Sequence, residues 1–417
     1  MGAGQRLLER RAHRRALPPR PARGPALEIF VWSRAAIWAA ALFAFLVFEP
    51  NRNPLASRWD DPRLTRDLGA ITDVWARWDS VWFLRIAEHG YGATEHAAAT
   101  AFYPLYPLLL GGLGRAFGGH YVVAGLVLSL ACCLGSFLLL QRLAETWLGA
   151  DGARRAVLYL ALFPMALFLG AVYSESLALL LSLAAFLLAE RGRFAWAGTA
   201  AGLALLTRPV GVALLPALAL IAWRAPRRGR ALGSLALGSL AFAAYPLYLW
   251  QELGDPWAFL KAQGFWQRHV SPAGPFGGLW DGLRAGWAGV EQLVSGNHHH
   301  VYWTAVRDTD PLRAATVNLE NLAFLALFLV LSAIAWRRFG APYGLFSLVS
   351  LAIPLSAPSH RWPLLSMPRF GLVVFPLFLA LAAVAGGRPR LHTAIVAVSA
   401  LLLGVAVVQW SLWQWVS

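Results

Sequence analysis

Lysine is almost missing from this chain. Of its 36 basic residues only Lys261 is a lysine, so a net charge of +15 rests on arginine. Charge of either sign is scarce, at 14% of 417 residues, where a soluble domain carries about 25%. With 58% of residues hydrophobic, that excludes one large soluble core and implies a polytopic membrane protein. Cysteine is nearly absent too. Cys132 and Cys133 are neighbours in an apolar run, which excludes a disulfide framework and the spacing of a zinc site. A glycine-rich phosphate loop is missing, so a nucleotide pocket of that kind is not expected. The arginines cluster between hydrophobic runs, a membrane-topology pattern rather than a nucleic-acid surface.

What is present is a succession of apolar runs. Residues 1–30 read as a disordered basic cytoplasmic arm without the apolar core of a signal peptide, able to rest on anionic membrane lipid. Residues 31–417 read as a single transmembrane domain, all-α. About eleven spans are expected: 31–48, 121–140, 156–173, 176–189, 194–207, 210–223, 231–250, 314–336, 343–358, 370–386 and 393–413. Phe102–Phe117 is a weak candidate. Counting it as a crossing would put the basic segment 142–155 outside, so an interfacial or re-entrant helix is the better reading. Two large external loops then remain, 49–120 and 251–311. The arginine bias, with abundant alanine and glycine, suggests a GC-rich coding sequence and a bacterial cytoplasmic membrane, N-terminus inside.

The stretch Trp75 to Tyr91, WARWDSVWFLRIAEHGY, stands out. Read as one helix, it puts Trp75, Asp79, Trp82, Phe83 and Ile86 on one side. An aromatic face of that kind suits an interfacial helix. The carboxylate does not, and must be aimed into a protein cavity, which is how catalytic acids are housed.

The segment RWDSVWFLRIAEHGY followed by AFYPLYPLL at 101–109 resembles the signature of the GPI mannosyltransferase II (PIG-V-like) family. The resemblance continues in FPMALFLGAVYSESLALLLSLAAFLL (163–188), LLTRPVG (205–211) and PRFGLVVFPLF (368–378). It implies a GT-C-like fold and an inverting membrane glycosyltransferase. Such an enzyme would pass a hexose, by family precedent mannose, from a polyprenyl-phosphate sugar donor to a hydroxyl of a lipid or glycan acceptor on the extracytoplasmic face. No metal and no cofactor are expected. Asp79 matches the acidic residue that serves as base in the first external loop. The eukaryotic relatives act on a GPI intermediate, and that acceptor does not carry over to a bacterial chain.

Around Asp79 the candidate substrate-binding residues are Trp78, Glu88, His89, Tyr103, Arg208 and Arg369. Arginine clamps phosphate oxygens in a bidentate way, which suits a lipid phosphate. Each has a structural reading beside the functional one. Asp79 could cap a helix or pair with Arg77 or Arg85, Glu88 and His89 could orient the loop, and Arg208 and Arg369 could snorkel. Glu175 reads as a favourable first-turn acid of a span, and Asp60 and Asp61 as solvated loop residues. Arg361 is a further ionisable group on an external turn. Trp257, Trp266 and Trp280 suggest an interface belt, with Lys261, Gln263 and Arg268 as possible donor contacts. The run His298–His300 lacks helical metal-ligand spacing. Two other function classes stay open: a transporter of lipid-linked sugars, which should show repeated halves with mid-membrane charges, and a non-catalytic envelope-assembly scaffold.

Overall fold

The computed structural model describes residues 24–51, 60, 63–91, 97–296 and 299–416. Asp61, His298 and residues 1–23 of the expected arm lie outside them. Among the described residues the regular secondary structure is helical, with a single isolated β-bridge between Arg268 and Ser359. The long helices are α1 (Gly24–Val47), α4 (Tyr121–Leu162), α8 (Arg228–Leu253), α10 (Pro311–Phe339) and α14 (Pro389–Ser411). These five are long and apolar enough to cross a membrane. Shorter helices fill the rest of the bundle: α5 (Glu175–Glu190), α6 (Phe194–Leu205), α7 (Leu214–Trp223), α11 (Ala341–Ser356) and α13 (Phe375–Ala385). Near one end sit α2 (Ser80–His89), α3 (Leu105–Ala116) and α12 (Met367–Leu372). One hydrophobic core joins residues from Ala26 to Val416. The chain is a multi-pass membrane protein.

Several boundaries depart from the sequence reading. The first helix starts at Gly24 rather than Val31, because the Ala26 amide donates to Gln141 Oε1 (2.9 Å) and so ties its first turn to α4. α4 is two helices joined at Gly149, whose φ of 70° breaks the helix at low cost in a residue without Cβ. The run expected as a span over 156–173 is helical only to Leu162. Pro164 forces Phe163 out of the helical region (φ −55°, ψ 140°). Residues 163–174 then pack as buried, non-α-helical backbone with one 3-10 turn at Ala166–Leu169. Such backbone survives in a membrane protein only if its polar groups find partners inside. Arg34 of α1 supplies one, donating from Nη1 to Ala166 O (2.8 Å), and from Nη2 it also caps Ala161 O (3.0 Å) in the last turn of α4.

α3, at 12 residues, is about 18 Å long. It therefore cannot cross a hydrocarbon core of about 30 Å, and it packs on α2 and α4. The expected loop 251–311 holds a 21-residue helix, α9 (Pro275–Ser295), laid against α10 and α11. Small residues allow that approach, since Gly278 faces the backbone of Leu355.

Candidate active site

The Trp75–Tyr91 stretch is not one helix. Helix α2 begins at Ser80, and Trp78 before it has φ 53°. That break turns Trp75 away from α2 to stack on Trp38 at 5.4 Å. Nor does the aromatic face lie on an interface: Trp75, Trp82, Phe83 and Ile86 are all buried in protein. The left-handed conformation of Trp78 is held from both sides. Its ring meets Trp413 and Trp415 edge-on at 6.0 and 5.3 Å. The Tyr173 hydroxyl accepts from the Asp79 amide (3.0 Å) and donates to Arg77 O (3.1 Å). Asp79 is thereby presented at the head of α2.

Its side chain, in a residue 9% exposed, accepts from Arg369 Nη1 at 2.7 Å on Oδ2. Oδ1 has no protein partner among the described residues. Arg369 is forked: its Nε donates to Glu175 Oε1 at 2.5 Å. Arg208 Nη1 reaches the same oxygen at 2.7 Å and also Ser174 Oγ at 3.2 Å. Two carboxylates and two guanidinium groups thus form one network, with Glu175 wholly buried at its centre. The Arg369 guanidinium lies over Phe168 and Tyr173, 4.9 and 4.7 Å from the ring centres. Burial lowers the pKa of Arg208, against the opposing pull of Glu175.

A cavity of about 140 Å³ opens beside this network. It is lined by Asp79, Ser174, Arg208 and Arg369, by Tyr103 and Trp266, and by Gln263 and Arg268. Arg268 donates to Ala357 O and Leu365 O, both at 2.9 Å, which pins the 251–311 segment to the turn before α12. Burial, and then the charge of Arg369, bring Arg268 down to about 10, still a cation at neutral pH. Burial pushes the Tyr103 hydroxyl up. The cavity lining therefore sets one acid, Asp79, among three arginines, with Glu175 buried behind them. Such a site suits an anionic group together with a hydroxyl to be deprotonated.

Backbone strain gathers here as well. The non-glycine residues with positive φ among those described are Trp78, Gln267, Ser366 and Trp413. Ser366 lines the cavity, Trp78 and Gln267 immediately precede Asp79 and Arg268, and Trp413 packs on Trp78. Conformations of this kind cost about 1–3 kcal/mol each and cluster at working sites.

Of the candidates read from sequence, Asp79, Tyr103, Arg208 and Arg369 come together in the cavity lining, with Trp78 packed behind. Glu88 and His89 do not. They sit at the far end of α2, their side chains 36% and 42% exposed, 3.8 Å from each other. Arg361 pairs with Asp308, at 2.5 and 2.6 Å, outside the cavity lining. Asp60 caps the turn at Leu64 and Thr65. Trp266 joins the cavity, whereas Trp257 and Trp280 stay exposed. Glu175 is what the sequence reading missed as a site residue. Its signal was in plain view, a carboxylate opening an otherwise apolar helix opposite two span-end arginines.

Residues 69–219 match the family described as Mannosyltransferase (PIG-V). No curated protein matches the chain. The chain is similar to several solved structures, two of which follow. One is the archaeal oligosaccharyltransferase AglB from Archaeoglobus fulgidus, solved with an inhibitory peptide and a dolichol-phosphate (14% identity, TM-score 0.41, covering 90% of this chain and 56% of that one). The other is ArnT from Cupriavidus metallidurans, bound to undecaprenyl phosphate (15% identity, TM-score 0.37, covering 90% and 77%). The present chain spans little more than half the length of the oligosaccharyltransferase. The matched segment carries Asp79, Tyr103, Glu175 and Arg208, four of the residues around the cavity, and over that segment, about a third of the chain, the protein is similar to the mannosyltransferase (PIG-V) family.

Proposed function

We propose that this membrane glycosyltransferase moves a hexose, mannose on the family's precedent, from a polyprenyl-phosphate donor to a hydroxyl of a lipid or glycan acceptor. The observation that carries the proposal is the Asp79 carboxylate, fixed through Oδ2 by Arg369 with Oδ1 unpartnered in an arginine-lined cavity. In this reading the acceptor hydroxyl approaches Oδ1 and gives up its proton as its oxygen bonds to C1 of the sugar. The bond from C1 to the lipid phosphate breaks on the opposite face, so the anomeric centre inverts. The electron pair leaves with the phosphate oxygen, where the cationic side of the cavity, Arg208 and Arg268, offsets the developing charge. Arg369 holds the base in place through Oδ2. Chemistry at this end of the bundle would face the extracytoplasmic side, since the basic inter-helix segments lie at the other end.

The test is transfer from radiolabelled polyprenyl-phosphate mannose to a lipid and glycan extract by the purified protein. A general base contributes about 10²–10⁴-fold, so Asp79→Asn should lower turnover by that factor with an unchanged elution profile. Near-normal turnover would remove Asp79 from the role. A wild-type protein that transfers glucose but not mannose would correct the sugar while leaving the base assignment in place.

A further inference from the structure

A second, larger cavity lies far from Asp79. Helix α5 begins at Glu175 in the charged network and ends at Glu190, a helix of 16 residues, which is about 24 Å. At that far end, parts of α4, α5, α6, α7 and α8 surround a groove of about 1410 Å³. Six arginines line it: Arg142, Arg191, Arg193, Arg224, Arg227 and Arg230. None of the six forms an ion pair with a carboxylate among the described residues. The two glutamates in the lining, Glu145 and Glu190, accept hydrogen bonds from Gln141 (2.8 Å) and Tyr343 (3.3 Å). A concave surface with so much unneutralised charge concentrates anions.

Two further features say which anion. Trp196 on the rim and Trp223 beside Arg224 are 66% and 58% exposed, and Arg228 lies over Trp223 at 5.1 Å. Exposed tryptophan with arginine marks the headgroup depth of a membrane. Along α8, Arg230 and Ser234 line the groove, and Leu237 follows on the same helical face at 72% exposure. One strip of helix therefore runs from a cation in the groove to an open apolar surface.

We propose that this groove binds the phosphate headgroup of an anionic phospholipid, with an acyl chain laid along α8 past Leu237. The arginines hold the phosphate oxygens, and Leu143, Leu187 and Ile221 form an apolar wall that a freely soluble phosphate would not use. This binding site is separate from the Asp79 cavity and shares no lining residue with it.

The experiment is native mass spectrometry of the full-length protein in detergent, titrated with phosphatidylglycerol or phosphatidylcholine. Preferential retention of phosphatidylglycerol is expected. The Arg193→Gln/Arg227→Gln/Arg230→Gln variant should lose about fivefold in affinity per arginine at low salt. The corresponding Arg→Lys triple variant should keep most of the preference, which separates charge from any change in fold. Inorganic pyrophosphate at equal concentration should fail to displace the lipid. Equal uptake of the two lipids, or an unchanged glutamine variant, would overturn the proposal. Displacement by pyrophosphate would also overturn it, in favour of a soluble phosphate ligand.

Discussion

The two ends of this bundle hold arginine in opposite ways. Around Asp79, Arg208 and Arg369 have side chains only 13% and 11% exposed, each bound to a carboxylate. In the far groove six arginines are exposed and carry no carboxylate partner. Desolvation explains the contrast. A guanidinium withdrawn from water needs a counter-charge at hydrogen-bond distance, or it costs several kcal/mol. One left at the membrane surface keeps its hydration and remains available to a mobile anion. The buried set is thus a fixed electrostatic frame, whereas the exposed set is a recognition surface.

That contrast can be broken from the buried side first. Substituting Glu175 by Leu leaves Arg208 and Arg369 facing each other without their shared acid. Breaking a buried pair in this way costs about 3–5 kcal/mol, so thermal unfolding in detergent should show a large loss of stability and transfer activity should vanish. The companion Glu175→Gln should retain more of the fold and still misplace Arg369, lowering kcat more than it raises KM. An unchanged kcat would confine Glu175 to a structural role.

A smaller effect is expected from Gly371→Ala. The new Cβ would come within 2.2 Å of the Phe328 ring, and overpacking of this kind costs about 1–3 kcal/mol. Because α12 carries Arg369, activity should fall with stability, and a Phe328→Leu background should restore both. A wild-type level of each in Gly371→Ala would show that α12 can shift without moving the network.

The groove variants sharpen the comparison from the other side. Removing Arg193, Arg227 and Arg230 should leave the unfolding temperature in lipid-free detergent unchanged, because exposed substitutions stay within about 0.5 kcal/mol. A large drop there would mean that those arginines are structural after all. Smallest of all should be Glu88→Gln with His89→Gln. At the exposed end of α2, the pair is expected to alter transfer less than twofold, and a marked rise in KM would return both to the substrate site.

Much of the fold was legible, for reasons local to each segment. Apolar runs long enough to cross a membrane mark α1, α4, α8, α10 and α14 wherever they occur. The weak, proline- and glycine-bearing run after Tyr103 was too short to be more than a helix on the surface of the bundle. Less legible were the points where a helix stops inside an apolar run. At Phe163 the proline after it overrides hydropathy, and Arg34, 127 and 132 positions away from its acceptors, makes the break tolerable. No window of local sequence contains both halves of that arrangement.

The site divides the same way. Its aspartate was readable because a carboxylate on an aromatic, apolar stretch must have a partner, and the candidates Arg208 and Arg369 were readable as arginines at the ends of apolar runs. Which of them meets Asp79 was not, since Arg369 lies 290 positions from it and 194 from Glu175. By itself the sequence determined the helical class, the membrane setting and the kinds of charge available, because hydropathy and residue type are properties of short segments. Only the tertiary structure decided that Glu175 stands at the centre of the network and that six arginines, five from four helix ends and Arg142 from within α4, face one groove. Both depend on which helix ends the packed core brings side by side.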